Sequence, residues 1–390
     1  MKKRIYLDYA ATTPMDPRAF KAMVPYFMDK FGNSMSLHNF GQEAKLALEE
    51  SRKKIANFIG AEPAEIIFTG SATESNNLAL KGIAFANKNK GKHIITSSIE
   101  HPCIMESGDW LESQGFEVTR LKVDKYGLID IEELKKKIRK DTILGSVMHA
   151  SNEIGTIQPI KEIGNICKEK EIYFHTDVVQ SFGKVPIDVN KLKVDLLSAS
   201  SHKMYGPKGV ALLYIRKGVK IEPLLHGGGQ EGGLRSSTSN IPGIVGFAKA
   251  CEIAKKEMNG DNLKMLKMRD KLINNILKNI PKSHLNGHPK KRLSNNINVW
   301  FEFIEGESMI VQLDLSGVAA STGSACSSFK LEPSHVLLAT GLKHQEAHGS
   351  LRLSLGKWTE DKEINYLLKV LPPIVKKLRD ISPFKENYKF

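Results

Sequence analysis

One lysine, set among hydroxyls and an imidazole in the stretch SASSHKMYGPKG (residues 198–209), is the group in this chain best placed to do chemistry. The apolar run Val194-Asp195-Leu196-Leu197 before it reads as a short buried strand, and Gly206-Pro207 with Gly209 reads as a turn after it. Ser200, His202 and Lys203 therefore stand just past the carboxyl end of a strand, which is the edge of an open α/β sheet where ligands bind. An amine there can condense with the carbonyl of a cofactor or substrate, so Lys203 is a candidate Schiff-base lysine. A lysine beside a Gly-Pro turn is more commonly a solvated surface charge. The chemical reading depends on what else reaches the same edge.

The elements that must position it come from the helix–strand rhythm of the chain. A predicted strand at 65–68 runs into Thr69-Gly70-Ser71-Ala72-Thr73-Glu74-Ser75-Asn76, and a helical pattern follows over 77–86. A strand, a turn of small residues and a helix start together make an anion site, because free N–H groups and the positive end of the helix dipole face it. The stretch is neither a Walker loop nor GxGxxG, and a Ser/Thr helix cap with nothing bound is the plainer alternative. Further strands are predicted at 94–96, 117–121, 142–149, 172–176 and 210–215, with helices at 104–114, 130–139 and 160–170 between them. That alternation predicts an α/β fold: a mostly parallel sheet with helices on both faces.

Before this unit come a short strand at 4–7, a helix at 17–31, the polar loop GNSMSLHNFG (32–41) and a periodic helix at 42–59. After it come the glycine-rich loop HGGGQEGGLRSSTSN (226–240) and a long helical region over 241–279 that links to the next domain. The tail, 280–390, mixes predicted strands at 296–301, 310–314 and 351–355 with helices, as a smaller α+β domain would. No internal repeat or low-complexity segment is present.

Composition narrows the class. A chain of 390 residues exceeds a single core, and 41% hydrophobic with 26% charged residues is ordinary for a globular protein. No apolar run approaches the roughly 18 residues of a membrane span, and MKKRIYLDYAATTP lacks the apolar stretch of a secretory signal. Cys103, Cys167, Cys251 and Cys326 lie far apart without CxxC spacing, which argues against a disulfide framework or structural zinc and fits a cytoplasmic location. The net charge of +14 is spread along helical stretches such as ELKKKIRK without interleaved aromatics, so a solvated basic face is expected rather than a nucleic-acid partner.

Polar residues end several strands at one edge: Thr73, His101, Asn152, Asp177 with Gln180, and Lys203. A lysine holds an aldehyde as an imine. An aspartate opposite a pyridine nitrogen keeps that nitrogen protonated and deepens the electron sink. An imidazole can stack on the ring and pass protons, and the Ser71–Ser75 helix start with Ser200 and His202 can take a phosphate. These are the parts needed to hold pyridoxal 5'-phosphate.

With those residues in view the chain resembles the cysteine desulfurases, in the class V aminotransferase branch of the fold-type I pyridoxal-phosphate enzymes. The motifs that carry the resemblance are YLDYAATTP, SATESNN, SNEIGTIQPI, FHTDVVQSFGK, SSHKMYGPKGV, GGGQEGGLRSST, GSACSS and LRLSLGKWTEDKEI, spread over nearly the whole length. The resemblance implies a large cofactor-binding domain over 16–255 and a small domain from 1–15 and 256–390 that carries the cysteine loop. It implies that Lys203 is the Schiff-base lysine, that Asp177 pairs with the ring nitrogen and Gln180 with the ring hydroxyl, and that His101 lies on the ring face. Ala72, Thr73, Ser200 and His202 would hold the phosphate, and Asn152 would contact cofactor or substrate. Thr238 would complete the phosphate grip from the other subunit of a homodimer. Arg352, with Asn33, would read the substrate carboxylate, a task suited to a fork of parallel N–H donors.

The implied reaction converts L-cysteine to L-alanine: Lys203 takes the α-proton, and the thiolate of Cys326 takes the sulfur as a persulfide, with His101 as a nearby proton acceptor. Sulfur would pass to an iron–sulfur scaffold or another thiolation partner. The resemblance allows Cys326 to serve there as a transient iron–sulfur ligand, and no other metal site is expected in the chain. The sequence departs from the family pattern at Gly232 (usually Arg), Ser237 (usually Gly), Asn33-Ser34 (usually Asn-Pro) followed by Met35, and Ser151 (often Asn). Two alternatives stay open: a selenocysteine lyase or other class V aminotransferase, and a non-catalytic sulfur-handling scaffold. Cys103 stands close to His101 with no partner legible, and Cys167 and Cys251 fall on helix patterns.

Overall fold

The computed structural model describes residues 4–322 and 332–383. In chain order the described strands are β1 (Ile5–Tyr6), β2 (Ile66–Thr69), β3 (His93–Ser97), β4 (Glu117–Leu121), β5 (Thr142–Ser146), β6 (Tyr173–Asp177), β7 (Leu196–Ser200), β8 (Ala211–Ile215), β9 (Ser283–Leu285), β10 (Asn296–Phe301), β11 (Val318–Ala319) and β12 (Ser350–Ser354). Seven of them form one sheet in the order β2-β8-β7-β6-β5-β3-β4. The pairs from β7 through to β4 are parallel, while β8 runs against both β7 and β2. Hence β2, β3, β5, β6 and β7 all point their carboxyl ends at one edge, as the alternation predicts.

Both faces of this sheet are covered, which is why its strands read as apolar runs. Successive residues go to opposite sides: Phe68, Leu197, Leu212 and Tyr214 pack with Leu48, Ile55 and Phe247, while Ile67, Leu196, Leu213 and Ile215 pack with Leu78, Leu80 and Ile83. Each such side chain, fully buried, contributes about 1.5–3 kcal/mol relative to exposure. The free edge of β2 is blunted, because the N–H of Phe68 donates to Glu231, itself clamped by Arg52.

A third apolar cluster unites Ile5 and Leu7 with Met268, Leu272, Val299, Leu353, Leu367 and Leu371, around the sheet β12-β10-β9. Helix Ile241–Asn279 feeds both regions, with Phe247 in the first cluster and Leu272 in the third. Two expectations need correcting. The predicted strand at 310–314 lies inside helix Gly306–Leu315, whose Met309 and Leu313 bury one face at helical spacing. The predicted helix at 17–31 is two helices, Pro17–Met23 and Pro25–Met28, the second starting on a proline that cannot donate to the preceding turn.

Candidate active site

Lys203 sits in a tight 3-10 turn, Ser201–Met204, that follows β7 directly. The turn needs Gly206, since a Cβ there would meet Ser201 Oγ at 2.0 Å. The Lys203 amine donates to the carbonyls of Ala10 and Ala11 at 2.6 and 2.7 Å. Beneath it Lys184, buried, donates to the carbonyls of Gln180 and Lys203, both at 3.0 Å. On the neighbouring strand β6 Asp177 is the last residue; its Oδ1 accepts the Val179 N–H at 2.8 Å and its Oδ2 accepts Asn76 Nδ2 at 2.7 Å. Gln180 is pinned by Nε2 to the Ala10 carbonyl at 3.0 Å.

After β2, Ser71 caps helix Ala72–Asn87 by accepting the Glu74 N–H, and Glu74 accepts the Gly70 N–H in return. Arg235 holds the same Glu74 carboxylate at 2.7 Å. After β3, His101 caps helix Pro102–Ser113 through Nδ1. Arg352 enters from β12 with its side chain only 2% exposed. Its Nη1 donates to the Asn152 carbonyl at 3.1 Å and its Nη2 to Asp8 at 3.0 Å, while Nε is buried without a partner among the described residues. Lys203, Asp177, Gln180, Ser71, His101 and Arg352 border one cavity of about 430 Å³, while Lys184, Glu74, Arg235 and Asp8 stand behind its wall.

Burial dominates the electrostatics of this wall. It pushes the Asp177 carboxyl up, opposed by the Val179 N–H and the Asn76 amide. It pushes His101 down, and it pushes His202 down to about 4 with help from the charges of Lys203, Lys208 and Lys184. It brings Lys184 down to about 7 and Glu100 up to about 8. A buried carboxyl raised in this way gains most from a cation placed against it.

The chain matches the family described as aminotransferase class-V over residues 5–367. It is 58% identical over 381 residues to a protein named cysteine desulfurase IscS from Methanosarcina thermophila, covering 98% of this chain and 94% of that one. A solved structure titled as a NifS-like protein superposes with a TM-score of 0.91 at 41% identity, covering 96% of this chain and all (100%) of that one. Another, titled SspA in complex with cysteine, superposes at 0.80 with 40% identity, covering 91% of this chain and 100% of that one. The chain is a cysteine desulfurase of the class V aminotransferase family.

Cysteine desulfurases of this family carry pyridoxal 5'-phosphate. The cavity suits that group by its own chemistry: an amine at one wall, a buried carboxyl raised by desolvation at another, and a helix start with hydroxyls at a third. Of the residues expected at the site, Ala72, Thr73, His101, Asn152 and Asp177 border the cavity. So do Gln180, Ser200, His202, Lys203 and Arg352. Two are not brought there. Asn33 is exposed, its Oδ1 turned back on the Met35 N–H at 3.0 Å. Thr238 borders a separate pocket of about 160 Å³ shared with Gly70, Gly209 and Arg235. Cys326 lies outside the described residues. Three contributors carried no legible role in the sequence: Asp8 within YLDYAATTP, Asn76 within SATESNN, and Lys184 after FHTDVVQSFG. Each acts through contacts to residues distant in the chain.

Proposed function

We propose that the chain converts L-cysteine to L-alanine and delivers the sulfur, as a persulfide on Cys326, to an acceptor protein such as an iron–sulfur scaffold. The observation that carries this reading is the buried guanidinium of Arg352, which borders the same cavity as Lys203 and Asp177 and whose Nε has no partner among the described residues. An α-carboxylate reader and a Schiff-base lysine in one cavity are what an α-amino acid requires.

Pyridoxal 5'-phosphate, when bound, supplies the electron sink for carbanionic character at the substrate α-carbon. Lys203 would hold its aldehyde, and its amine, once released, would take the α-proton. Asp177 offers its carboxylate to the ring nitrogen, gaining the cation that its burial calls for. Gln180, already fixed to Ala10, has its carbonyl oxygen left for the ring hydroxyl. The start of helix Ala72–Asn87, with Ser200 and His202, takes the phosphate on N–H and hydroxyl donors. Arg352 orients the substrate by its carboxylate, which aims the α-hydrogen toward the amine. Cys326, as thiolate, attacks the substrate sulfur; the carbon–sulfur bond breaks and the new sulfur–sulfur bond remains on the enzyme.

The wider assembly is part of the same proposal. Phe20, Phe27, Met28, Phe31, Leu37 and Phe40 are all more than half exposed, a run of apolar surface that a second copy of the chain would cover. In such a dimer Thr238 would serve the neighbour's phosphate site. The division into a large unit over 16–255 and a small one over 1–15 and 256–390 is supported by the separate apolar clusters, with its boundary inside helix Ile241–Asn279. Free thiols at Cys103, Cys167 and Cys251 support a reducing, cytoplasmic setting.

The test is product stoichiometry. Purified protein and a Cys326→Ala variant are incubated with L-cysteine and a reductant, and sulfide and alanine are quantified together. Equal release of both, lost in the variant while its cofactor absorbance persists, is the expected result. Activity surviving in the variant would overturn the role of Cys326 and favour a lyase that needs no enzyme thiol.

A further inference from the structure

Two donors converge on one nitrogen of His101. The backbone N–H of Cys103 reaches Nδ1 at 3.2 Å, and Sγ of Cys103 lies 3.1 Å from the same atom. A backbone N–H can only donate, so Nδ1 must present its lone pair, and the proton of a neutral imidazole then sits on Nε2. The thiol is held from its other side. Sγ lies 3.2 Å from Asn76 Nδ2, and the same amide nitrogen lies 2.7 Å from Asp177 Oδ2. A carboxylate accepts only, which fixes the Asn76 amide with its NH2 toward Asp177 and Cys103. Asn76 therefore donates to both; the Thr73 hydroxyl, which like Asn76 favours the thiolate, donates to Sγ as well, and the S–H donates to Nδ1. The chain has one direction: the Asn76 amide gives to the Asp177 carboxylate and to the Cys103 sulfur, and the Cys103 thiol gives to His101.

We propose that this chain makes Cys103 a positioning residue, which holds His101 neutral with its proton on Nε2, so that His101 meets the cavity as a proton donor and Cys103 itself carries no sulfur. The thiol suits this task because burial, and then the charge of Asp177, push it up to about 12, so it remains S–H at neutral pH and has no thiolate with which to attack. The groups that face His101 act in both directions: Asp177 favours its protonation, while Lys203 and His335 oppose it. His335 Nε2 lies 2.9 Å from the carbonyl of Glu100, the residue before His101, and the Glu100 carboxyl is itself buried and raised. Burial, together with two donors on Nδ1, sets the outcome for the uncharged ring.

The proposal deepens the reading of this cavity as a cofactor site, and its test separates the two. Full-length protein labelled with 15N-histidine is titrated by NMR with and without bound cofactor, His101 being assigned by its loss in His101→Gln. Cofactor absorbance is followed over the same pH range. The wild type should show Nε2 protonated and Nδ1 bare. Cys103→Ala should move the His101 midpoint upward by about 0.4–1 pH unit, the worth of one neutral hydrogen bond. Cys103→Ser, which keeps a donor in place, should restore the wild-type midpoint. A wild-type proton on Nδ1, an unmoved midpoint in Cys103→Ala, or identical behaviour of the Ser and Ala variants would each overturn the proposal. So would a persulfide found on Cys103 after incubation with L-cysteine. Failure of the cofactor reading alone would leave the tautomer visible in the cofactor-free protein, while its absorbance counterpart would be missing.

Discussion

Arg352→Lys should weaken the binding of L-cysteine far more than that of cysteamine, the same molecule without its carboxylate. The guanidinium has five N–H groups; one goes to the Asn152 carbonyl at 3.1 Å and one to Asp8 at 3.0 Å, and these two contacts fix its plane. The Nε–H, which has no partner among the described residues, would with a neighbouring N–H of the same fork serve a carboxylate. Lysine keeps the charge and a partner for Asp8 but offers one nitrogen in place of two, so one charge-assisted hydrogen bond is lost. Such a bond is worth about 1.5–3 kcal/mol, roughly a 10- to 150-fold rise in the L-cysteine Kd. Cysteamine has nothing to place there and should change by no more than about threefold, the scale of indirect effects at a neighbouring site. The assay is cofactor absorbance titrated with each ligand in both proteins, with a urea midpoint as a check that the variant is folded. Because the comparison is a ratio of ratios, a general loosening of the cavity cancels. Equal factors for the two ligands would refute the assignment of Arg352 to the carboxylate.

Two further predictions concern stability. Lys357→Met removes the buried partner of Asp16, side chains exposed by only 6% and 3%, and should destabilise by about 3 kcal/mol, the low end for a broken buried pair, because Arg18 still holds Asp16 at 2.9 Å. Arg18 first, and then Lys357, hold the Asp16 carboxyl well below its usual range. Its contribution is therefore complete above about pH 4 and is lost as pH falls toward the folded value, so the variant should lose less on going from pH 5 to pH 3 than the wild type. Urea unfolding at the two pH values checks this, and parallel losses would refute it. Burial also pushes His149 down to about 4 and His175 to about 3. Both are bases held neutral, so their contribution is full above the unfolded value of about 6.5 and is lost as pH falls through it toward the folded values, each at about 1.4 kcal/mol per pH unit. His175→Asn should reduce the measured slope of stability between pH 6 and 5 by about one proton; a slope equal to the wild type's would refute this.

What the sequence made legible was local. Strand ends bearing Asp177 and Lys203, the helix start at Ser71 and the long helix over 241–279 all follow from runs, turns and periodicity within a few residues. Pattern failed where polar residues are satisfied at a distance. The strand expected to end at Leu197 continues to Ser200 because Ser198 meets the buried ring of His175 at 3.0 Å, a partner that no spacing announces. Helix Gly306–Leu315 was hidden for the opposite reason: its apolar residues sit close enough in sequence to imitate a strand. The motif resemblance carried Asn33 toward the site, whereas the chain holds it in a local turn; Thr238, expected to act from the other subunit, stands here in an adjoining pocket.

The amino-terminal strip ties together candidate catalytic groups that come from two sheets. Leu7 accepts the Ser354 N–H at 2.7 Å and Ala10 donates to Ser354 Oγ at 2.8 Å, so the strip is bonded to the end of β12, two residues from Arg352. Asp8, between those contacts, takes the Arg352 guanidinium. The next residues turn to the large sheet: Ala10 and Ala11 receive the Lys203 amine, Ala10 receives Gln180, and Thr13 donates to the His202 carbonyl at 2.8 Å while accepting the Tyr205 N–H at 2.9 Å. A segment of six residues, 8–13, thus touches Arg352 at one end and the lysine turn at the other. Consecutive Cα atoms are about 3.8 Å apart whatever the rest of the chain does. The strip therefore limits how far the group that would orient the substrate can move from the group that would take its proton, since six residues span at most about 20 Å, and its hydrogen bonds to both sheets hold the two together.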